Sequence, residues 1–229
     1  MELKKMGKIL IMLATIVVGE DLDSGQQAET SAAESATATA TPRVLLILAA
    51  ILERLVARND PLIEHSRSNL IYHVGPNLKV FNGVRSPNIS IAKYLERLYK
   101  YTKCSPSCFV VGYVYIDRLV HKHPELLVIS INVHRLLLTS VMIASKMLDD
   151  VQYNNAFYAK VGGISNTELN RLELELLFLL DFELMVSSPI FQSYCWYLER
   201  EDLRIGSTFI PRIEQLPLSF DIKDDVNCI

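Results

Sequence analysis

Positive charge is in short supply: 23 Lys and Arg against 26 Asp and Glu leave a net charge of -3 over 229 residues, and no face collects a run of Lys and Arg. Nucleic acid and anionic lipid surfaces need such an electrostatic footprint, so neither is an expected partner. Cysteine is equally sparse. Cys104, Cys108, Cys195 and Cys228 are too few and too irregularly spaced for the disulfide framework of a small secreted domain. Reduced thiols fit better, with the chain expected in nucleus and cytoplasm. No hairpin signature and no alternating strand pattern bounded by turn residues occurs, which removes the β classes. Nothing resembles a phosphate loop either, because the Gly162-Gly163 pair has no lysine after it and no strand before it; it reads as a chain reversal ahead of a capped helix. No nucleophile with a nearby base is found, so the chain is not expected to be an enzyme or to hold a cofactor or small-molecule ligand.

What is present is a composition 50% hydrophobic and 21% charged, that of a globular protein with a core. The N-terminus stands apart. Lys4, Lys5 and Lys8 precede the apolar decamer ILIMLATIVV (9–18) and Gly19 follows, the outline of a short secretory signal. A convincing small-x-small cleavage site is missing, Val17-Val18-Gly19 being the nearest approach, and ten residues fall short of the about 20 that a helix needs to span a bilayer. The plainer reading is an apolar appendage. EDLDSGQQAETSAAESATATAT (20–41) has almost no large apolar residue to offset its ordering entropy and reads as a disordered linker.

From residue 42 onward the chain reads as helices. Thr41-Pro42, Ser105-Pro106 and Ser188-Pro189 each put a hydroxyl at a capping position before a proline, whose missing N–H is not needed in the first turn. Ser165 and Glu168 have the spacing of a capping box before LNRLELELLFLLDF, Ser90 opens IAKYLERLYKYT, and Asn132 or Ser130 opens the helix ending near Met147. In VLLILAAILERLVA, Leu46, Ala49, Ala50 and Leu52 to Val56 carry a helical stripe. Two helices, Pro106 to His121 and Ile131 to Leu148, are apolar around most of their circumference and must be surrounded by others. The amphipathic neighbours supply Ile91, Tyr94, Leu95 and Leu98, and Leu169, Leu172, Leu176 and Leu180. A last helix is expected from Pro189 to Arg200. The fold class is all-α, a globule built around a central helix.

Two charges interrupt the apolar stripes. Lys146 follows Met142 by four residues, and Glu173 sits within Leu169, Leu172, Leu176, Leu177 and Leu180. A charge on such a stripe needs a partner. The plain reading makes Lys146 a snorkelling cation at its helix C-terminus, helped by Asp149 and Asp150, with Glu173 in water at the stripe edge. The sharper one has both flank a surface that another protein covers, each partly exposed until then.

YVYIDRL, HRLLLTSVMIASKMLDD, YNNAFYAKVGGIS and LNRLELELLFLLDFEL together resemble a cyclin box, and specifically the plant P-type (also called U-type) cyclins, relatives of the yeast phosphate-signalling cyclins; the likeness runs from about Pro42 to about Tyr197. The resemblance implies a single box of five helices around the third, at 84–186, after an N-terminal extension (1–41) and an N-terminal helix and loop (42–83), and before a short C-terminal helix and tail (187–229). It implies a regulatory subunit that binds and activates a cyclin-dependent kinase, in cell-cycle or nutrient- and hormone-linked control of division. In cyclins the lysine of the ASK motif and a glutamate on the fifth helix bond the backbone near the kinase's αC helix; by position these are Lys146 and Glu173. Leu148, Tyr153, Phe157 and Tyr158 are the expected apolar anchors around them.

The likeness has gaps. SPNISIAKYL lacks the Met-Arg-Ala-Ile-Leu motif through which mitotic cyclins dock substrates, and Asp117, which would pair with its arginine, has Arg85 as a substitute. About forty residues remain after the box, too few for a second. A cyclin fold used as a scaffold, as in general transcription factors, lacks the positive charge that DNA binding would need. The rival reading is a secreted or membrane-anchored helical protein, such as a metal hydrolase. In it His121 and His123 would bind zinc with His134 or Cys104, at a spacing that matches no common site, and the Asn88 sequon would be glycosylated.

Overall fold

A computed structural model describes residues 41–66, 76–150 and 153–206. The apolar decamer, most of the linker, Cys228 and the C-terminal tail lie outside the described residues. The helical segments are α1 (Arg43–Ser66), α2 (Pro76–Lys79), α3 (Ile91–Thr102), α4 (Pro106–Lys122), α5 (Val133–Leu148), α6 (Asn155–Gly162), α7 (Asn166–Leu179) and α8 (Ser188–Gly206). No strand occurs among the described residues. None of the described helices is long and apolar enough to cross a membrane.

Helix α5 is the centre. Thirteen of its sixteen residues are buried, and it packs against α3, α4, α6 and α7. A helix without a polar face must be enclosed in this way. Thr139 and Ser140 are buried with it; the Thr139 hydroxyl donates to the Arg135 carbonyl at 2.8 Å, so its polarity stays inside the helix. Helix α4 is the second enclosed element, buried from Cys108 to Leu119 on most sides. The amphipathic helices bury the expected stripes, Ile91, Tyr94, Leu95 and Leu98 on α3 and Leu169, Leu172 and Leu176 on α7.

Helix starts follow the side-chain chemistry with local departures. The Ser90 and Ser165 hydroxyls accept from the Lys93 and Glu168 N–H groups at 3.3 and 3.1 Å. The return half of the capping box is missing, because the Glu168 carboxylate is taken by Arg135 Nε of α5 at 2.7 Å. Ser105 precedes Pro106 as an N-cap without a side-chain cap bond, its hydroxyl lying 3.3 Å from Cys108 Sγ. Asn132 likewise makes no cap bond: its side chain accepts from Ile129 N and donates to the Leu127 carbonyl, which ties down the turn before α5. Ser188 is the first residue of α8 rather than its cap.

Two expectations shift. Leu46 on α1 points to solvent, and the buried face is Leu45, Ile47, Leu48, Ala49, Ile51 and Leu52, which packs against α3, α4 and α8. Nearly every residue there is apolar, so spacing could not choose the face. Helix α8 continues past Arg200 to Gly206, where buried Glu201 accepts from Arg54 Nη2 of α1 at 2.8 Å and Arg204 Nη1 at 2.9 Å.

Candidate functional site

The site lies where the C-terminal turn of α5 meets the start of α6 and the middle of α7. Asn154 caps α6 through its side chain, accepting from Phe157 N at 3.0 Å, so Asn155 becomes the first helical residue and sits over the last turn of α5. Lys146 Nζ donates to Glu173 Oε1 and to Asn155 Oδ1, both at 2.6 Å. Asn155 Nδ2 donates to Glu173 Oε2 at 2.6 Å and to Asn170 Oδ1 at 2.7 Å. The lysine side chain keeps 15% of its surface exposed and the glutamate none.

This corrects the expectation for Glu173. It is neither in water at the stripe edge nor partly exposed: α6 covers it, and its charge is balanced by Lys146 and the Asn155 amide. A buried carboxylate without such partners would be costly. Lys146 does not simply complement its helix terminus either, since it reaches across to a different helix.

The four expected anchors divide. Leu148 is 46% exposed and Tyr153 41%. Tyr153 stacks on half-buried Phe157, ring centroids 4.0 Å apart and planes at 21°. Leu148 and Tyr153 are thus exposed apolar side chains close to Lys146 in the chain. Tyr158 is different. It is 1% exposed, its ring is at right angles to Phe157, and burial pushes its phenol well above the usual range. The step of about 100° from Phe157 to Tyr158 turns the latter into the core while the former stays at its edge.

Asp117 and Arg85 are not paired. The Asp117 carboxylate accepts from the Tyr194 hydroxyl of α8 at 2.6 Å and lies 3.5 Å from His121 Nδ1 one turn on, while Arg85 is exposed in the loop before α3. Helix α8, beyond the last box helix, supplies the partner instead. The histidines also stay apart: His123 Nε2 is 3.1 Å from the Leu179 carbonyl and His134 Nε2 is 3.0 Å from the Ile89 carbonyl. Among the described residues no three His, Cys, Asp or Glu side chains form a group that could hold a metal ion. Cys104 and Cys108 are buried; Cys108 Sγ donates to Asp149 Oδ2 at 3.2 Å and Thr102 Oγ1 is 3.0 Å from Cys104 Sγ.

Sequence reasoning missed Asn155 and Asn170. The available signal was two polar residues in the first two turns of α6 and α7, where Asn is commonplace on an exposed face, so the spacing carried no hint of a network between helices.

The cyclin family profile matches residues 42–184. The chain is 65% identical over 168 residues to Cyclin-U1-1 of Arabidopsis thaliana, covering 73% of this chain and 78% of that protein. It is 50% identical over 159 residues to Cyclin-U4-1 of the same plant, 69% and 76% covered, and 48% identical over 165 residues to Cyclin-P3-1 of Oryza sativa subsp. japonica, 72% and 67% covered. Sequence similarity over most of both chains and an all-α fold around a buried third box helix agree: the chain belongs to the cyclin family, as a regulatory protein of the plant P-type (U-type) group.

Proposed function

We propose that the chain binds and activates a cyclin-dependent protein kinase, in nucleus and cytoplasm, in cell-cycle or nutrient- and hormone-linked control of division. The observation that carries this is Lys146: a cation on a largely apolar helix, backed by a buried carboxylate and followed in the chain by the exposed apolar side chains of Leu148 and Tyr153. A charge with exposed apolar side chains on the same stretch of chain suits a partner that offers hydrogen-bond acceptors and apolar side chains together. Tyr158 stays in the core and supports this surface from behind.

The mechanism is allosteric. A kinase is competent when the ion pair between its strand lysine and its αC glutamate is formed, and a subunit that binds αC only in that position shifts the equilibrium towards it. Lys146 meets the partner, while Glu173 and Asn155 hold its ammonium in place, so the surface is organised before binding and little ordering is left to oppose it.

The test is affinity capture from plant extract with the wild-type chain and Lys146→Ala, followed by mass spectrometry and a histone H1 phosphorylation assay. A cyclin-dependent kinase is expected with wild type and depleted with the variant, and phosphorylation only when kinase is present. Phosphate transfer by the chain alone, or capture of no kinase, would overturn the proposal.

A further inference from the structure

We infer that Asn170 is a further partner-reading residue of the same face, donating its side-chain Nδ2–H to a backbone carbonyl oxygen of the partner; this rests on the kinase-binding reading above. An Asn side chain presents oxygen on one side and NH2 on the other, and the neighbours decide which way it faces. Lys146 settles the first one. Its ammonium can only donate, so Asn155 must turn Oδ1 towards it, at 2.6 Å. That leaves Asn155 Nδ2 facing the other way, where it donates to Glu173 Oε2 and to Asn170 at 2.7 Å. Asn170 must therefore turn its oxygen inward, and its NH2 outward.

Among the described residues the outward group meets no acceptor. Nδ2 of Asn170 donates to none of the described residues, it is not among the buried atoms lacking a partner, and the side chain is half-buried. Asn170 lies one turn before Glu173 on α7, so this donor opens on the same side as the Lys146 network. The charge of Lys146 thus fixes a direction through two amides and ends in a donor at the surface. Hydrogen bonds aligned in sequence polarise one another, which strengthens the last one. Because Glu173 already neutralises Lys146, the patch carries no net charge of its own, and a neutral carbonyl matches it better than a carboxylate.

Two variants separate this role from a structural one. Asn170→Asp keeps an oxygen for Asn155 and the same shape but removes the donor; Asn170→Ala removes the donor without adding charge. Binding to immobilised recombinant plant cyclin-dependent kinase is measured by interferometry, beside melting temperature and with Lys146→Ala as a control. Both Asn170 variants should lose about tenfold in affinity, as expected for one hydrogen bond, beyond what any fall in their melting temperatures explains. Wild-type affinity in Asn170→Asp, or in Asn170→Ala, would overturn the donor assignment while leaving the kinase reading intact. Failure of the wild-type chain to bind would overturn the kinase reading, and this inference with it.

Discussion

Lys146 Nζ and Glu173 Oε1 stand 2.6 Å apart across two helices, with the glutamate side chain fully buried and the lysine side chain 15% exposed. The pair is complete before any partner arrives, so its two halves are unequal. Replacing Lys146 by Ala strands a buried anion, which costs about 3–5 kcal/mol, a fall of roughly 6–20 °C in Tm for a domain of this size. Glu173→Ala costs less, about 1–3 kcal/mol, because the lysine can still reach water. Lys146→Met with Glu173→Leu should restore stability to within about 1 kcal/mol and leave kinase binding lost. Thermal melts and affinity measurements on the same four proteins check this. Unchanged melting of Lys146→Ala would show the pair to be structurally idle.

His134 should make the fold sensitive to mild acid. Its Nε2–H donates to the Ile89 carbonyl at 3.0 Å, Tyr94 meets the ring edge-on, and Nδ1 is buried without an acceptor. A second proton would have to sit on that nitrogen, so burial, reinforced by Arg135, holds the imidazole below its ordinary value of 6.5. The unfolded chain then binds the proton more readily than the folded one. Stability is complete above the unfolded value and declines as pH falls below it, levelling off only below the folded value. Unfolding midpoints in urea between pH 7.5 and roughly 5 should fall, and less so in His134→Gln.

The two glycines ending α6 should fail for different reasons. A Cβ on Gly162 would meet the Leu138 side chain of α5, and the residue also accepts from the Tyr94 hydroxyl at 3.2 Å. Gly162→Ala overpacks the core and should cost about 1–3 kcal/mol. Gly163 has open space around it but φ of +77°, and its N–H and that of Ile164 both bond the Ala159 carbonyl to close the helix. Gly163→Ala should cost about 1 kcal/mol through backbone strain alone. Chemical denaturation of both variants checks this, and a variant as stable as wild type would sink the account of its glycine.

Helix α1 should be indispensable. Leu45, Ile47, Leu48, Ile51 and Leu52 are each at most 6% exposed, and burying each is worth about 1.5–3 kcal/mol. Together they rival the entire net stability of a domain, about 5–15 kcal/mol. A chain lacking residues 42–59 should show no cooperative unfolding by circular dichroism. One lacking residues 1–40 should melt as the full chain does, because the core pattern begins at Val44.

Local chemistry was legible in the sequence wherever one segment sufficed. Apolar residues all around 131–148 require enclosure in any soluble fold, and the hydroxyls expected to cap α3 and α7, Ser90 and Ser165, do so. The same pattern marked Lys146 and Glu173 as misfits that needed partners. What it could not supply was direction. Spacing places a residue on a stripe, but which partner crosses from another helix depends on how α6 lies over α5 and α7. Asn155 lies between Lys146 and Glu173 only because Asn154 starts α6 at that point. Asp117 found Tyr194 rather than Arg85 for the same reason: α8 returns to α4, a contact between residues 77 apart in sequence. The sequence alone determined which side chains had to be buried or capped; the tertiary structure decided which buried charge faces which, because long-range hydrogen bonds depend on the packing of whole helices.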